Sequence, residues 1–189
     1  TPTSNGCSGP TFTVVVTINP KPVIPNQTAT ICSGVSFTIT PTNSGTTVVP
    51  SNTTYTWTVS TNINVTGQSA SSVAGVSSIS QTLTNLTNIV QIVTYTVTPT
   101  SGASGNCPGS TFTITVTVNP RPFIQDQTTI TCSGIAFTVP LTNAPPALIL
   151  PTGTTFTWTV TPPSGISGAS NQATGVSAIG QTLTNTTNA

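Results

Sequence analysis

Apolar and hydroxylated side chains alternate through residues 111–118. Phe112, Ile114, Val116 and Val118 fall on one side of an extended chain, and Thr113, Thr115 and Thr117 on the other. A period of two marks a β-strand with one buried face. The run stops at Asn119-Pro120-Arg121-Pro122, since proline has no amide hydrogen to give to a ladder. A near copy, TFTVVVTINPKP, occupies residues 11–22. Each copy reads as a strand that closes one domain, followed by a stiff joint (Pro20, Lys21, Pro22; Pro120, Arg121, Pro122) that opens the next.

Other landmarks recur roughly 100 positions apart. Cys7, Phe12 and Lys21 correspond to Cys107, Phe112 and Arg121; Cys32 and Phe37 to Cys132 and Phe137; Tyr55 and Trp57 to Phe156 and Trp158. The segment ISQTLTN at 79–85 returns as IGQTLTN at 179–185. One residue is inserted in the loop before Phe156 and one is lost after Trp158, and loops are where a repeated fold absorbs length changes.

Between the two joints the pattern predicts about seven strands. They fall at residues 27–32, at 35–42 with Val35, Phe37 and Ile39 on one face, and at 53–60 with Tyr55, Trp57 and Val59 inward. A short edge strand follows at 62–66, a less regular one at 76–85, then 92–98 with Val93, Tyr95 and Val97 on one face, and finally 111–118. Clusters of Gly, Pro, Asn and Ser separate them. No stretch has a 3.6-residue period with caps, so almost no helix is expected. Seven short strands around one Trp predict an all-β, immunoglobulin-like sandwich in tandem copies, with Trp57 and Trp158 as core residues. Residues 1–19 then hold the last strand of a preceding unit. Residues 20–120 form a complete unit. Residues 121–189 form a second unit without its final two strands, to be completed by following sequence or by strand addition from a neighbouring subunit.

Charge narrows the function classes. Only 2% of residues are charged, and there is no His. Thr- and Ser-rich chains of this kind are often disordered stalks, but the strand-period apolar positions supply a core. With Asp126 as the single acidic residue, neither a Ser-His-Asp triad nor a carboxylate pair is available, so the chain reads as no enzyme. Clustered carboxylates for calcium are also lacking, so no metal and no cofactor are expected. A net charge of +1 offers no patch for nucleic acid and favours self-association. No apolar run reaches the roughly 20 residues of a membrane helix, so no membrane insertion is expected. Lys21 and Arg121 read as solubilising charges on exposed linkers, with pairing to a neighbouring subunit as the functional alternative.

The four cysteines come as two types, Cys32 and Cys132 before the second strand and Cys7 and Cys107 before the last. Their spacing is too wide for zinc, which makes them disulfide candidates in an oxidising compartment. Within one unit the obvious pair is Cys32–Cys107. In an immunoglobulin-like strand order those positions lie at opposite ends of the sandwich, roughly 25 Å apart for strands of eight residues. That pair therefore requires a different order, whereas a bond from the base of one unit to the top of the next suits the standard one. Five sequons, at Asn26, Asn52, Asn64, Asn85 and Asn185, are candidate glycan sites on a surface that carries almost no charge.

Several motifs occur twice in the same order: CSGxxFT, TxYTWTV or its Phe variant, and QTLTNxT. With VTYTVTPT and a closing CxGxTFTVTVTVNP, the set resembles the PKD-like (polycystic-kidney-disease-like) repeats of large bacterial (Bacteroidetes-type) surface adhesins and secreted filament proteins. The resemblance spans the whole chain. The near-total lack of charge departs from the family, as does the absence of an acidic turn after Trp57-Thr58-Val59. The resemblance implies an extracellular or cell-surface setting and a structural role, in an adhesin stalk or a filament. Partners would be copies of the chain or adjacent repeats. The alternative is a carbohydrate- or surface-binding module, with loops 68–72 and 101–106 as contacts.

Overall fold

The computed structural model describes residues 1–71, 75–102 and 106–187. At the start, β1 (Thr3–Ser4) and β2 (Cys7–Ser8) form a small hairpin. Asn5 and Gly6 at its tip have φ of 50° and 79°, the left-handed backbone that a two-residue hairpin turn needs.

The first unit is a sandwich of two sheets. It comprises β3 (Gln27–Cys32), β4 (Val35–Ile39), β5 (Thr54–Val59), β6 (Val65–Thr66), β7 (Ile79–Asn85), β8 (Gln91–Thr100) and β9 (Phe112–Asn119). One sheet has the order β3-β9-β8-β5 and the other β4-β7-β6. β3 runs parallel to β9, with Gln27 beside Ile114 and Cys32 beside Asn119. All other pairings are antiparallel. This is the immunoglobulin-like arrangement the alternation predicts, and the predicted strands lie within a few residues of the observed ones. No helix occurs among the described residues.

Alternation places the core. Val93, Tyr95 and Val97 of β8 and Phe112, Ile114, Val116 and Val118 of β9 point into the space between the sheets, against Phe37, Ile79 and Leu83. The largest fully buried side chains are Tyr55, Tyr95 and Phe112. The Phe37 and Tyr95 rings lie 5.4 Å apart, and the Tyr55 and Phe112 rings meet edge to face at 6.4 Å. Trp57 is half-buried at the margin of this core rather than at its centre. It sits on β5, the last strand of its sheet, where the Trp57 amide donates to Ser71 Oγ and its carbonyl accepts from the Ser71 amide.

The second unit keeps the strands of the smaller sheet, in two separate pairs, and of the larger sheet only the counterpart of β5. Its strands are β10 (Ala136–Thr138), β11 (Phe156–Trp158), β12 (Ile166–Ser167), β13 (Gln172–Val176), β14 (Gly180–Thr182) and β15 (Thr184–Asn185). They pair as β10-β14, β11-β13 and β12-β15. Residues 127–132, the counterpart of β3, form no strand, and Ile130 is fully exposed. The reason is local. β3 is held only by β9, and residues 121–187 contain no counterpart of β8 or β9. For the same reason the strand expected at residues 11–18 is extended but unpaired, because no described strand lies beside it.

Candidate functional site

The joint between the units holds a concave feature lined by residues of both. Its floor is the base of the first unit. The Gly34 amide donates to the Leu83 carbonyl at 2.8 Å, and the Ser33 amide to the Asn119 carbonyl at 2.9 Å. The Asn85 amide donates to Ser33 Oγ at 2.9 Å. Asn85 is buried, and its side chain is fully used. Nδ2 donates to the carbonyls of Ile89 (2.7 Å) and Val118 (3.0 Å), and Oδ1 accepts from the Thr87 amide and hydroxyl. Such a cross-bonded asparagine ties three loops together where a buried unpaired amide would be costly. The same base is built in the second unit. The Asn185 amide donates to Ser133 Oγ at 2.9 Å, and the Gly134 amide to the Leu183 carbonyl at 2.8 Å.

The roof is the top of the second unit. Phe123 and Ile149 exchange backbone hydrogen bonds of 2.9 and 2.8 Å, as Val23 and Val48 do in the first unit. Between floor and roof lies a cleft of about 500 Å³, half open to solvent. Leu86, Pro122, Phe123, Pro146 and Ile149 supply its apolar walls, and Arg121 its single charge. Ile149 is the one buried apolar side chain of the second unit among the described residues. The inserted residue noted in the sequence falls here. The tight loop closed by Ser44 and Thr47 becomes one closed by Ala144 and Leu148, and the longer loop brings Pro146 to the cleft.

The linker residues differ between the two joints. Pro20 and Lys21 are exposed, but Pro22 is buried. Gly109 packs so closely on it that a β-carbon there would approach the Pro22 carbonyl to 2.6 Å. Pro22 is therefore clamped by the first unit's own β8–β9 connection. Pro120 is half-buried, while Arg121 and Pro122 are exposed, because nothing in the second unit plays the part of Gly109.

The two tryptophans have matching surroundings. Trp57 Nε1 donates to the Ser69 carbonyl at 2.9 Å, and Trp158 Nε1 to the Ser170 carbonyl at 3.1 Å. Gln81 and Gln181 each donate to that same serine. Gln81 also accepts from the Tyr95 hydroxyl at 2.7 Å. Burial pushes the Tyr95 phenol from 10.0 up to about 12, and raises that of Tyr55 as well.

No disulfide is formed within the described chain. All four cysteines are free thiols here. Cys32 sits beside Asn119 at the end of β9 and Cys107 precedes its start, so β9 separates them by roughly 23 Å at 3.3 Å per residue. The first strand pairs in parallel with β9 instead of with β4, yet this still leaves Cys32 and Cys107 at opposite ends of the sandwich, out of reach of each other. The sequon at Asn85 needs correction, because that side chain is buried and bonded within the fold. The proposed contact loops 68–72 and 101–106 lie partly outside the described residues. Among the described residues no cluster of three or more His, Cys, Asp or Glu is placed to hold a metal, and no helix is long and apolar enough to cross a membrane.

Sequence reasoning missed the cleft. Two signals pointed to it: Phe123 in place of Val23, and the inserted residue in the loop before Ile149.

A family model described as PKD-like domain matches residues 27–122 and again 128–189. The matches begin and end close to the two structural units. No curated protein and no solved structure matched the chain.

Proposed function

Because this chain belongs to the PKD-like domain family, we propose that it is a non-catalytic, structural segment of an extracellular array, in which immunoglobulin-like units are strung end to end as an adhesin stalk or a filament. The observation that carries this reading is the joint. The Asn-Pro-basic-Pro sequence occurs twice, at residues 19–22 and 119–122, and both units build the same Ser-Gly/Asn base, which in the first unit faces the joint that follows it. A repeated joint sets a repeated angle, which is what a rod requires.

Open sheet edges add to the argument. Exposed strands and uncovered apolar faces recruit further strands. In the complete unit β9 lies between β3 and β8, and β8 between β9 and β5, so a β9-like strand alone would meet residues 127–132 and leave β11 without its neighbour. The partner of the second unit is therefore a pair of strands of the β8–β9 type, from an adjacent repeat or from another copy. Residues 11–18 alone match β9 and do not suffice. Base-to-top disulfides between successive units suit the positions of Cys32 and Cys107 at opposite ends of the sandwich.

Electron microscopy of tandem chains tests the proposal. Expected are rods with a repeat of roughly 40 Å per unit, the length of a ten-residue strand plus its joint. Independently tumbling globules joined at random angles would sink it.

A further inference from the structure

We infer that the cleft at the joint binds an acidic sugar of the uronate type, as one residue of a polysaccharide. This site goes beyond the structural role and stands whether the array forms a stalk or a filament. Its volume of about 500 Å³ lies within the usual range for small-molecule sites. Apolar walls with a few placed polar groups are the usual make-up of such a site. Phe123 and the two prolines offer flat apolar surface, and Thr84 adds a hydroxyl.

Charge selects the ligand class. Arg121 is one of two basic side chains in the chain, and no carboxylate lines the cleft with it. A planar guanidinium takes a carboxylate with two parallel hydrogen bonds. A simple inorganic anion would leave the apolar walls unused. A pyranose uronate uses both, stacking its C–H face on Phe123 while its carboxylate meets Arg121. The other joint lacks these features, because Lys21, Val23 and Val48 supply neither a ring nor a planar cation.

Titration of the full chain with trigalacturonate, followed by calorimetry or NMR, tests the assignment. Saturable binding is expected, weaker at high salt. Fully methyl-esterified trigalacturonate, the same size without the charge, is expected to bind at least about tenfold more weakly, as loss of a charge-assisted pair implies. Arg121→Gln and Phe123→Ala are expected to weaken trigalacturonate by about tenfold or more on the same grounds. Lys21→Gln removes the same net charge and is expected to leave binding unchanged. Circular dichroism confirms that each variant is folded. No binding by the unaltered chain, equal losses in Arg121→Gln and Lys21→Gln, or equal affinity for the methyl ester would each overturn the assignment.

Discussion

Residues 11–18 and 111–118 have almost the same sequence and opposite surroundings. In the second copy Phe112, Ile114, Val116 and Val118 are 0–2% exposed; in the first, Phe12, Val14, Val16 and Ile18 are 68–88% exposed. Only the neighbours differ. Residues 112–119 lie between β8 on one side and β3 on the other, so both rows of backbone groups are paired and the apolar face meets the opposite sheet. Residues 11–18 have no strand on either side. Strand propensity is thus a readiness to pair, not a structure in itself. The second unit teaches the same lesson from the other direction, with the strands of its smaller sheet paired two by two and its larger sheet missing the centre.

The largest change should come from supplying that centre. A chain extended after Ala189 by a copy of residues 90–119 should fold its second unit cooperatively, adding about 5 kcal/mol, the lower end of ordinary domain stability. Trp158 emission should shift to the blue, and residues 127–132 should gain protection from hydrogen exchange. Extension by a copy of residues 111–119 alone should give neither the stability gain nor the Trp158 shift, because β8 is the strand that joins β5 to β9. If the shorter extension works equally well, the sheet order proposed for the second unit is wrong.

Placing a charge on each twin sharpens the contrast. Ile114→Asp buries a carboxylate without a partner and should cost at least about 4 kcal/mol, enough to unfold the first unit. Val14→Asp should change stability by no more than about 0.5 kcal/mol. Near-ultraviolet tyrosine signals report the first unit specifically, since Tyr55 and Tyr95 are the only tyrosines. Comparable losses for both variants would mean that residues 11–18 are paired in solution.

A smaller asymmetry is expected at the paired leucines. Leu83 is fully buried, so Leu83→Ala should cost about 2–5 kcal/mol by the cavity argument. Leu183 is half-buried, and Leu183→Ala should cost about 1 kcal/mol, as less apolar area leaves water. Chemical denaturation of each variant checks the ratio.

The smallest effect is on pH dependence. The fold favours the neutral Tyr95 phenol, so its contribution to stability is complete below pH 10 and declines as the pH rises towards about 12. The second unit has Phe156 where the first has Tyr55 and no counterpart of Tyr95, so its stability should show no such decline. Melting temperatures followed separately by tyrosine and Trp158 signals between pH 9 and pH 12 would separate the two units. Parallel declines in both would remove Tyr95 as the cause.

Much of the fold was legible because the period of two is a local property. Phe37, Tyr55, Val93 and Ile114 could each be assigned to an inner face from their neighbours along the chain, whereas the less regular strand at 76–85 gave no such assignment for Leu83. The centre of the core was not legible in this way. Trp57 looked central because it is large, yet its strand lies at a sheet edge, while Tyr55 and Tyr95 take the middle. Asn85 read as a glycan acceptor, since a sequon says nothing about burial. The cleft draws on Ser33, Leu86, Arg121 and Ile149, residues far apart in the chain, and no local pattern brings them together.

The chain alone determined its two-unit, all-strand architecture, the position of the joints and the poverty of titratable chemistry, since each follows from short-range alternation, proline placement and residue counts. Three-dimensional packing decided the rest: which of two near-identical strands is paired, which aromatic rings fill the centre, why Cys32 and Cys107 stand apart, and which distant residues line a cleft with Arg121 and Phe123. Those outcomes depend on which segments become neighbours in space, and that is set by the partners a strand finds rather than by the strand itself.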